Sequence, residues 1–364
     1  MRKLFKLLAI AGAAGMAPML VGATAVEAAD YVVSDKGADI KPLCGKKPMK
    51  VALVDGVGSN TWRKIAVAEF KDELSKCSNV TDVLYADSLG DQQKYNSDLN
   101  SMASMGVNVL VTFTDYGDAA LPAYRSAYDG GSTVVVPYYS KISGTPGQDF
   151  SVNVYQDQAF IGKLWADWVN KTLGGKGNIV MLGGTPGATS SEQFLDGLKE
   201  GLKPYPGIKM LDENYIVTNW NPADAQRAVA GLIAKYPQID AIVSDSGMAT
   251  IAATKAYEQA GLPIPPEATI NGINEMGCRY EDLKAAGKGW KHFAVDGATS
   301  MVRFAVRAGV AAYQETASTE PTVIVPYVYA DTEAGKPPRC NRAAPPDADL
   351  SSTLSEDKLK AVFK

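Results

Sequence analysis

Short apolar and β-branched runs recur along the chain at Lys50 to Val54, Val80 to Tyr85, Val107 to Phe113, Thr133 to Pro137, Asn178 to Leu182, Ile208 to Ile216, Asp240 to Val243, Thr269 to Ile273 and His292 to Val295. Between them lie stretches of helical period, such as Ile65 to Leu74 and Gln226 to Tyr236, bounded by Gly, Pro, Asn and Asp. The alternation predicts repeated βα units. Strands that are apolar at nearly every position must be covered on both faces, which predicts an α/β fold of doubly wound parallel sheets with right-handed crossovers. In such sheets ligands collect beyond the carboxyl ends of the strands. The loops that follow strands are therefore where a site is expected.

The units fall into two sets, Lys50 to Pro137 and Asn178 to Val295, separated by a polar Gly/Pro stretch at Ser143 to Gln148. Two lobes follow. Beyond Val295 the pattern predicts a helix at Thr299 to Thr316 and a strand at Thr322 to Tyr327. A tail with Pro337, Pro338, Pro345 and Pro346 then ends the chain and cannot form a third domain.

The first residues read as an address. Arg2, Lys3 and Lys6 precede an uncharged apolar stretch from Leu7 to Ala25, and two small-residue patterns follow, Ala23-Thr24-Ala25 and Val26-Glu27-Ala28. This predicts an export signal over residues 1–28, cleaved after the second pattern. A transmembrane anchor is the competing reading, but Gly12, Gly15, Pro18 and Gly22 interrupt a run barely long enough to span a bilayer. No Cys precedes Cys44, so a lipidated N-terminal Cys is not expected. The expected location is an oxidising compartment, the bacterial periplasm, where four cysteines read as two disulfides. Cys44 lies just before the first strand and Cys77 ends the helix that runs back against it, which predicts Cys44 with Cys77. Cys278 with Cys340 would then pin the tail to the second lobe.

Composition narrows the chemistry. At 364 residues the chain holds about two domains of ordinary size. Its single histidine, His292, leaves no second imidazole for a two-His zinc site, and it begins an apolar strand, which is a structural position. The formal charge of −4 becomes −6 without residues 1–28, which carry three basic residues and one acidic. That balance lacks the basic footprint of nucleic-acid binding. Asp55-Gly56-Val57-Gly58 resembles the start of a dinucleotide fingerprint, but Thr61 stands at the third glycine position; Gly183 to Thr189 lacks the lysine of a phosphate-binding loop. Both read as tight strand-to-helix turns, and neither a cofactor nor a metal is expected.

More telling are the side chains the loops present. Asn60, Trp62 and Arg63 follow the first strand, Asp115 the third, Tyr138 and Tyr139 the fourth; Glu192, Trp220, Asp245, Asn274 and Asp296 follow strands of the second set. Rings cover the C–H faces of a polyhydroxyl ligand, while carboxylates, amides and a guanidinium take its hydroxyls. Asn60 and Asn274 are equally well placed to cap helices. Trp165 and Trp168 sit at helical spacing with Phe160 and Leu164 and read as helix packing.

The order of these features resembles the type I periplasmic binding proteins, particularly the ribose-binding group that serves sugar ABC transporters. The resemblance covers about residues 48 to 330. It rests on Asn60-Thr61-Trp62, on Val136-Pro137-Tyr138-Tyr139, on Gly197 within a Gly-rich turn and helix, on Ile239 to Ala249 with its apolar strand, polar residue and Ala-rich helix, and on Ile270 to Asn274. It implies three crossings between lobes, near residues 148–153, 295–298 and 326–328. One lobe is then residues 48–149 with 297–326, the other 150–296 with 327–364. It further implies a ligand held in the cleft between closing lobes, an inner-membrane permease as partner, and a chemoreceptor as a second possible partner.

The chain departs from that family where sugar binders place an Asp-Arg pair after the fourth strand, here Tyr138 and Tyr139, and an arginine where Glu192 stands. Arg63 would supply the missing guanidinium. The expected function is a non-enzymatic periplasmic receptor for a sugar or polyol, neutral or cationic rather than phosphorylated. The alternatives are a receptor for a non-sugar ligand with an aromatic or cationic part, and an exported α/β hydrolase, which would lack any Gly-x-Ser-x-Gly elbow.

Overall fold

The computed structural model describes residues 31–364 apart from Ser59 and residues 130–132; the expected export signal lies outside the described residues. Two sheets organise the chain. The first contains β1 (Tyr31–Val33), β2 (Met49–Asp55), β3 (Val80–Asp87), β4 (Val109–Phe113), β5 (Val134–Tyr139), β6 (Val154–Gln156) and the late strand β13 (Val323–Val325). Their spatial order is β1-β13-β6-β5-β4-β2-β3, and every pairing is parallel. Val51 and Leu53 point to one side of β2, into a core shared with α1 (Thr61–Leu74) and α9 (Met301–Gln314). Ala52 and Val54 point to the other, against α2 (Gln92–Ser104) and α3 (Leu121–Asp129). Both faces of the strand are buried, which is why it reads as a continuous apolar run.

The second sheet is built from β7 (Gly177–Gly183), β8 (Ile208–Met210), β9 (Ile216–Val217), β10 (Ala241–Ser244), β11 (Glu267–Ile270), β12 (His292–Val295) and β14 (Val328–Asp331). The order is β14-β12-β11-β10-β7-β8, with β9 also on β7 and only β14 antiparallel. Helices α4 (Gln158–Leu173) and α5 (Thr189–Leu202) cover one face, α6 (Pro222–Lys235) and α7 (Gly247–Gln259) the other; α8 (Asn274–Ala285) follows β11.

The differences from the sequence pattern have local causes. The expected strand at Ile208 to Ile216 is two strands, because Asp212 turns the chain by accepting from the Asn214 amide. The run at Thr269 to Ile273 ends early, at Ile270, where Asn271 takes φ 77°. The strand at Thr322 to Tyr327 breaks at Pro326, which has no N–H to give a ladder, so β13 joins the first sheet and β14 the second. The short β6 also belongs to the first sheet, which therefore runs past the expected lobe boundary at residue 149. The chain passes between sheets after β6 at Asp157, between β12 and α9, and between β13 and β14.

Both expected cysteine pairings are made, Cys44 to Cys77 and Cys278 to Cys340, with Cα separations of 5.4 and 4.6 Å. Trp165 and Trp168 pack in the second lobe, Trp165 stacked on Phe194 at 5.2 Å and Trp168 tilted against Phe293 at 5.7 Å. His292 is buried in the same lobe, and burial pushes its imidazole down to about 3.

Helices α4 and α5 touch through glycines. A Cβ on Gly197 would stand 2.1 Å from the Ala159 carbonyl oxygen, and one on Gly162 would stand 2.3 Å from that of Phe194. Backbone on both sides leaves no side chain free to yield. Gly197→Ala is expected to destabilise the protein by about 1–3 kcal/mol through overpacking, seen as a lower midpoint in urea. An unchanged midpoint would show that the helices can separate at no cost.

Candidate functional site

The first wall of the site grows from the turn after β2. Asn60 caps α1 by accepting from the Arg63 amide at 2.9 Å, and the cap starts the helix so that Trp62 and Arg63 stand in its first turn. The Arg63 guanidinium is buried between two carboxylates, Asp55 at 3.0 Å and Asp115 at 2.6 Å, and lies 3.3 Å from the centroid of the Phe113 ring. Asp115 also accepts from the Gly56 amide at 3.0 Å. One guanidinium serves two acids, so burial, with Asp55 alongside, holds Asp115 above the usual carboxylate range despite Arg63. Phe113 stacks on Tyr139 at 4.6 Å, and Trp62 sets its edge against both rings at 5.6 and 5.4 Å.

The second wall comes from the other lobe. Asn219 and Trp220 both adopt left-handed backbone, φ 55° and 49°, which is costly for a tryptophan. The turn brings the indole so close to Gly184 that a Cβ there would stand 2.1 Å from it. Its Nε1–H donates to Asp245 Oδ1 at 3.1 Å, while the Ser191 hydroxyl donates to Oδ2 at 2.5 Å. The Asp245 carboxylate lines the cavity in an aromatic surrounding. Burial outweighs these donors, together with the backbone amides of Gly184 and Asp245, and pushes this carboxyl up to about 7.

Between the walls lies a cavity of about 290 Å³, at the small end for a ligand pocket. Asn60, Trp62, Arg63, Tyr139, Trp220 and Asp245 line it. At its rim the lobes meet: Gln193 Nε2 donates to the Lys141 carbonyl at 2.8 Å, and Gly117 faces Thr189 so closely that a Cβ would stand 2.3 Å from its hydroxyl.

Five expected residues lie elsewhere. Asp115 sits behind Arg63, and the Tyr138 ring is buried against Phe113, whereas Tyr139, whose backbone takes φ 98° at the end of β5, lines the cavity. Glu192 is exposed on α5. Asn274 spends its amide on tail carbonyls, donating to Asn341 at 2.8 Å and to Ala344 and Pro345 at 3.1 Å. Asp296 is a clamp in the second crossing. Its oxygens accept from the Ser34 hydroxyl at 2.9 Å, the Tyr327 amide at 3.0 Å and the Ala298 amide at 2.9 Å.

The cavity also takes residues that sequence reasoning passed over, among them Phe113, Phe194, Asn271 and Asp347. Asn271 had a signal: the pair Asn271-Gly272 marks a turn, so the strand ends before it and Asn271, rather than Asn274, faces the cleft. Asp347 had none, because it arrives on the tail. No cluster of His, Cys, Asp and Glu among the described residues could hold a metal ion, and none of the described helices is long and apolar enough to cross a membrane.

Burial pushes the Asp296 carboxyl up to about 7 as well. A raised value means that the folded protein binds protons that the unfolded chain, titrating near 3.9, has already released. The stabilisation is complete below about pH 3.9 and is lost as pH rises through about 7. Ligand-free protein should therefore lose roughly 2 kcal/mol per carboxyl between about pH 5 and pH 8. Urea unfolding at the two pH values measures the loss, and Asp245→Asn should reduce it; equal stability at both would contradict the assignment.

Known proteins share this architecture. A xylitol-binding protein of Mycolicibacterium smegmatis is 26% identical over 208 residues, 57% of this chain and 58% of the relative. The D-xylose-binding periplasmic protein of Escherichia coli is 26% identical over 177 residues, 48% of this chain and 52% of the relative. The chain thus spans little more than half the length of these curated relatives. Among solved structures, an ABC-transporter periplasmic solute-binding protein of Actinobacillus succinogenes with bound D-allose has a TM-score of 0.66 at 21% identity, covering 79% of this chain and 99% of that one. A Caulobacter myo-inositol-binding protein bound to myo-inositol has a TM-score of 0.65 at 21% identity, covering 78% and 93%. A family model described as a periplasmic binding protein domain matches residues 51–312, a span that takes in most of both sheets and all of the cavity lining except Asp347, and on that match the chain belongs to the periplasmic binding protein domain family.

Proposed function

We propose that the cleft binds one neutral sugar or polyol and that the protein, exported to the periplasm and free of a lipid anchor, delivers it to the permease of an ABC importer. The observation that carries the reading is Asp245, a buried carboxylate facing a small cavity walled by Trp62, Phe113, Tyr139 and Trp220. Carboxylates that take two ligand hydroxyls give hydrogen bonds of roughly 1.5–3 kcal/mol each, and the rings cover the C–H faces between them. The acids outnumber Arg63, which disfavours a phosphorylated ligand. The names of the relatives, xylitol and xylose binders among them, support the ligand class.

Hinge motion at the three crossings would open the lobes, with the ligand favouring the closed state. Residues 48–156 with 297–325 would move as one lobe and residues 158–295 with 328–350 as the other. A glycosidase reading needs a second acid near Asp245; Glu192, the acid expected for that role, is exposed on α5, and Asp347, the other acid lining the cavity, is engaged by the Thr61 hydroxyl. The rings and the surplus of acid also suit a ligand with a cationic or aromatic part.

A thermal-shift panel of pentoses, hexoses, pentitols and inositols, with phosphorylated counterparts and organic cations, separates these readings. A binder present at 100 times its Kd stabilises the fold by about 2.7 kcal/mol, enough for a clear rise in Tm. A rise with a neutral polyol and none with its phosphate is expected. A rise with cations alone would transfer the function to the second reading.

A further inference from the structure

The tail was expected to stay with the second lobe, yet it spans both. Its first part is fastened to α8, by the Cys278–Cys340 disulfide and by Asn274, whose side chain also accepts from the Asn341 amide at 2.8 Å. Pro346 and Ala348 carbonyls take the first amides of α8, Glu275 at 2.7 Å and Asn274 at 2.8 Å. Asp349 is buried and accepts from the Gly272 amide at 2.9 Å and from Asn271 Nδ2 at 3.2 Å, which orients a cavity residue. Ser351 accepts from the Gly297 amide at 2.8 Å, in the crossing to α9.

The second part docks on the first lobe. The Ser352 and Thr353 hydroxyls donate to the two oxygens of Glu69 on α1 at 2.6 and 2.8 Å, and the Thr353 amide donates to the first of them at 3.1 Å. Glu69 is buried and also holds Arg303 of α9 at 2.8 Å. From α10 (Glu356–Val362), Leu359 packs with Leu354 against Ile65 of α1, and Lys358 pairs with Asp72. Midway, Asp347 lines the cavity and its Oδ2 accepts from the Thr61 hydroxyl, so the crossing point of the tail is also a wall of the site. The family match ends at residue 312, and none of this segment belongs to it.

We propose that residues 340–362 form a latch across the cleft, fixed covalently to the second lobe and reversibly to α1, which adds Asp347 to the ligand contacts and must release α1 before the lobes part. The latch rests on the binding reading for its ligand contact but not for its effect on opening. Contacts present only in the closed form bias the equilibrium toward it, with or without ligand. Slow ligand release follows from the same contacts.

The test uses the full chain with Thr353→Ala, Lys358→Ala and Leu359→Ala together, Thr353 and Lys358 being exposed; circular dichroism checks folding. Small-angle scattering of the ligand-free protein should show a larger radius of gyration in the variant than in wild type. The pair Thr353→Ala and Lys358→Ala alone, which removes no apolar contact, should shift it in the same direction. For a polyol found by the thermal-shift panel, stopped-flow displacement should show dissociation about tenfold faster, the equivalent of one ordinary polar contact. Asp347→Asn should weaken affinity about as much while leaving the radius unchanged. Identical radii in folded wild type and both variants would overturn the latch whether or not any polyol binds. Absence of binding by every polyol, with the radius still shifted, would instead overturn the ligand reading and keep the latch.

Discussion

Arg63→Ala is expected to lower the free energy of unfolding by about 3–5 kcal/mol, the largest stability effect of any single change at the site. The cost arises from what is left behind. Asp55 and Asp115 are both buried, and among the described residues the only counter-charge touching either is this guanidinium, at 3.0 and 2.6 Å. Without it two carboxylates face each other in an aromatic surrounding. The variant also loses the cation over Phe113 and so the floor on which the Trp62, Phe113 and Tyr139 rings stand. Adding Asp115→Asn to Arg63→Ala removes one of the two stranded charges and should recover part of the loss, a coupling that a double-mutant cycle in urea measures directly. Full additivity of the two changes would contradict the shared ion pair.

The second large effect falls on affinity. Asp245→Ala is expected to weaken ligand binding by at least about 100-fold, because it removes two charge-assisted acceptors worth roughly 1.5–3 kcal/mol each. It also leaves Trp220 Nε1 without its partner in a strained turn. Calorimetric titration of wild type and variant measures the loss. The affinity should in addition rise with pH through about 7, since hydroxyls that donate to Asp245 favour its charged form and binding then releases protons. A variant within a factor of about three of wild type would remove Asp245 from the ligand contacts.

Much of the architecture can be read from the chain because its strands are covered on both faces. Val51 to Val54 is apolar at every position for that reason, and the alternation with helices follows the order of the sheets. The site was legible only in part. Asp245 and Asp296 look alike, each an Asp just after a strand, yet one faces the cavity and the other clamps the crossing to α9, where the Ser34 hydroxyl and the Tyr327 amide from two other segments converge on it. Tyr138 and Tyr139 are neighbours, and only Tyr139, where the backbone turns to φ 98°, lines the cavity, a departure from strand geometry that no sequence pattern marks. Phe113 ends an apolar strand and carries no mark that its last ring is a wall of the site. Ser352, Thr353 and Asp347 are ordinary tail residues in sequence; their partners Glu69 and Thr61 lie far away on α1, and no local pattern announces the contact.

The central claim is that the cleft holds a neutral polyhydroxyl molecule reversibly and unchanged. Isothermal titration of the protein with the polyol or sugar that most raises its Tm, followed by recovery of the ligand and its proton NMR spectrum, tests this directly. The account predicts one saturable site per chain and a ligand recovered intact. Either a chemically altered ligand, or no saturable heat from any neutral sugar or polyol, would contradict it.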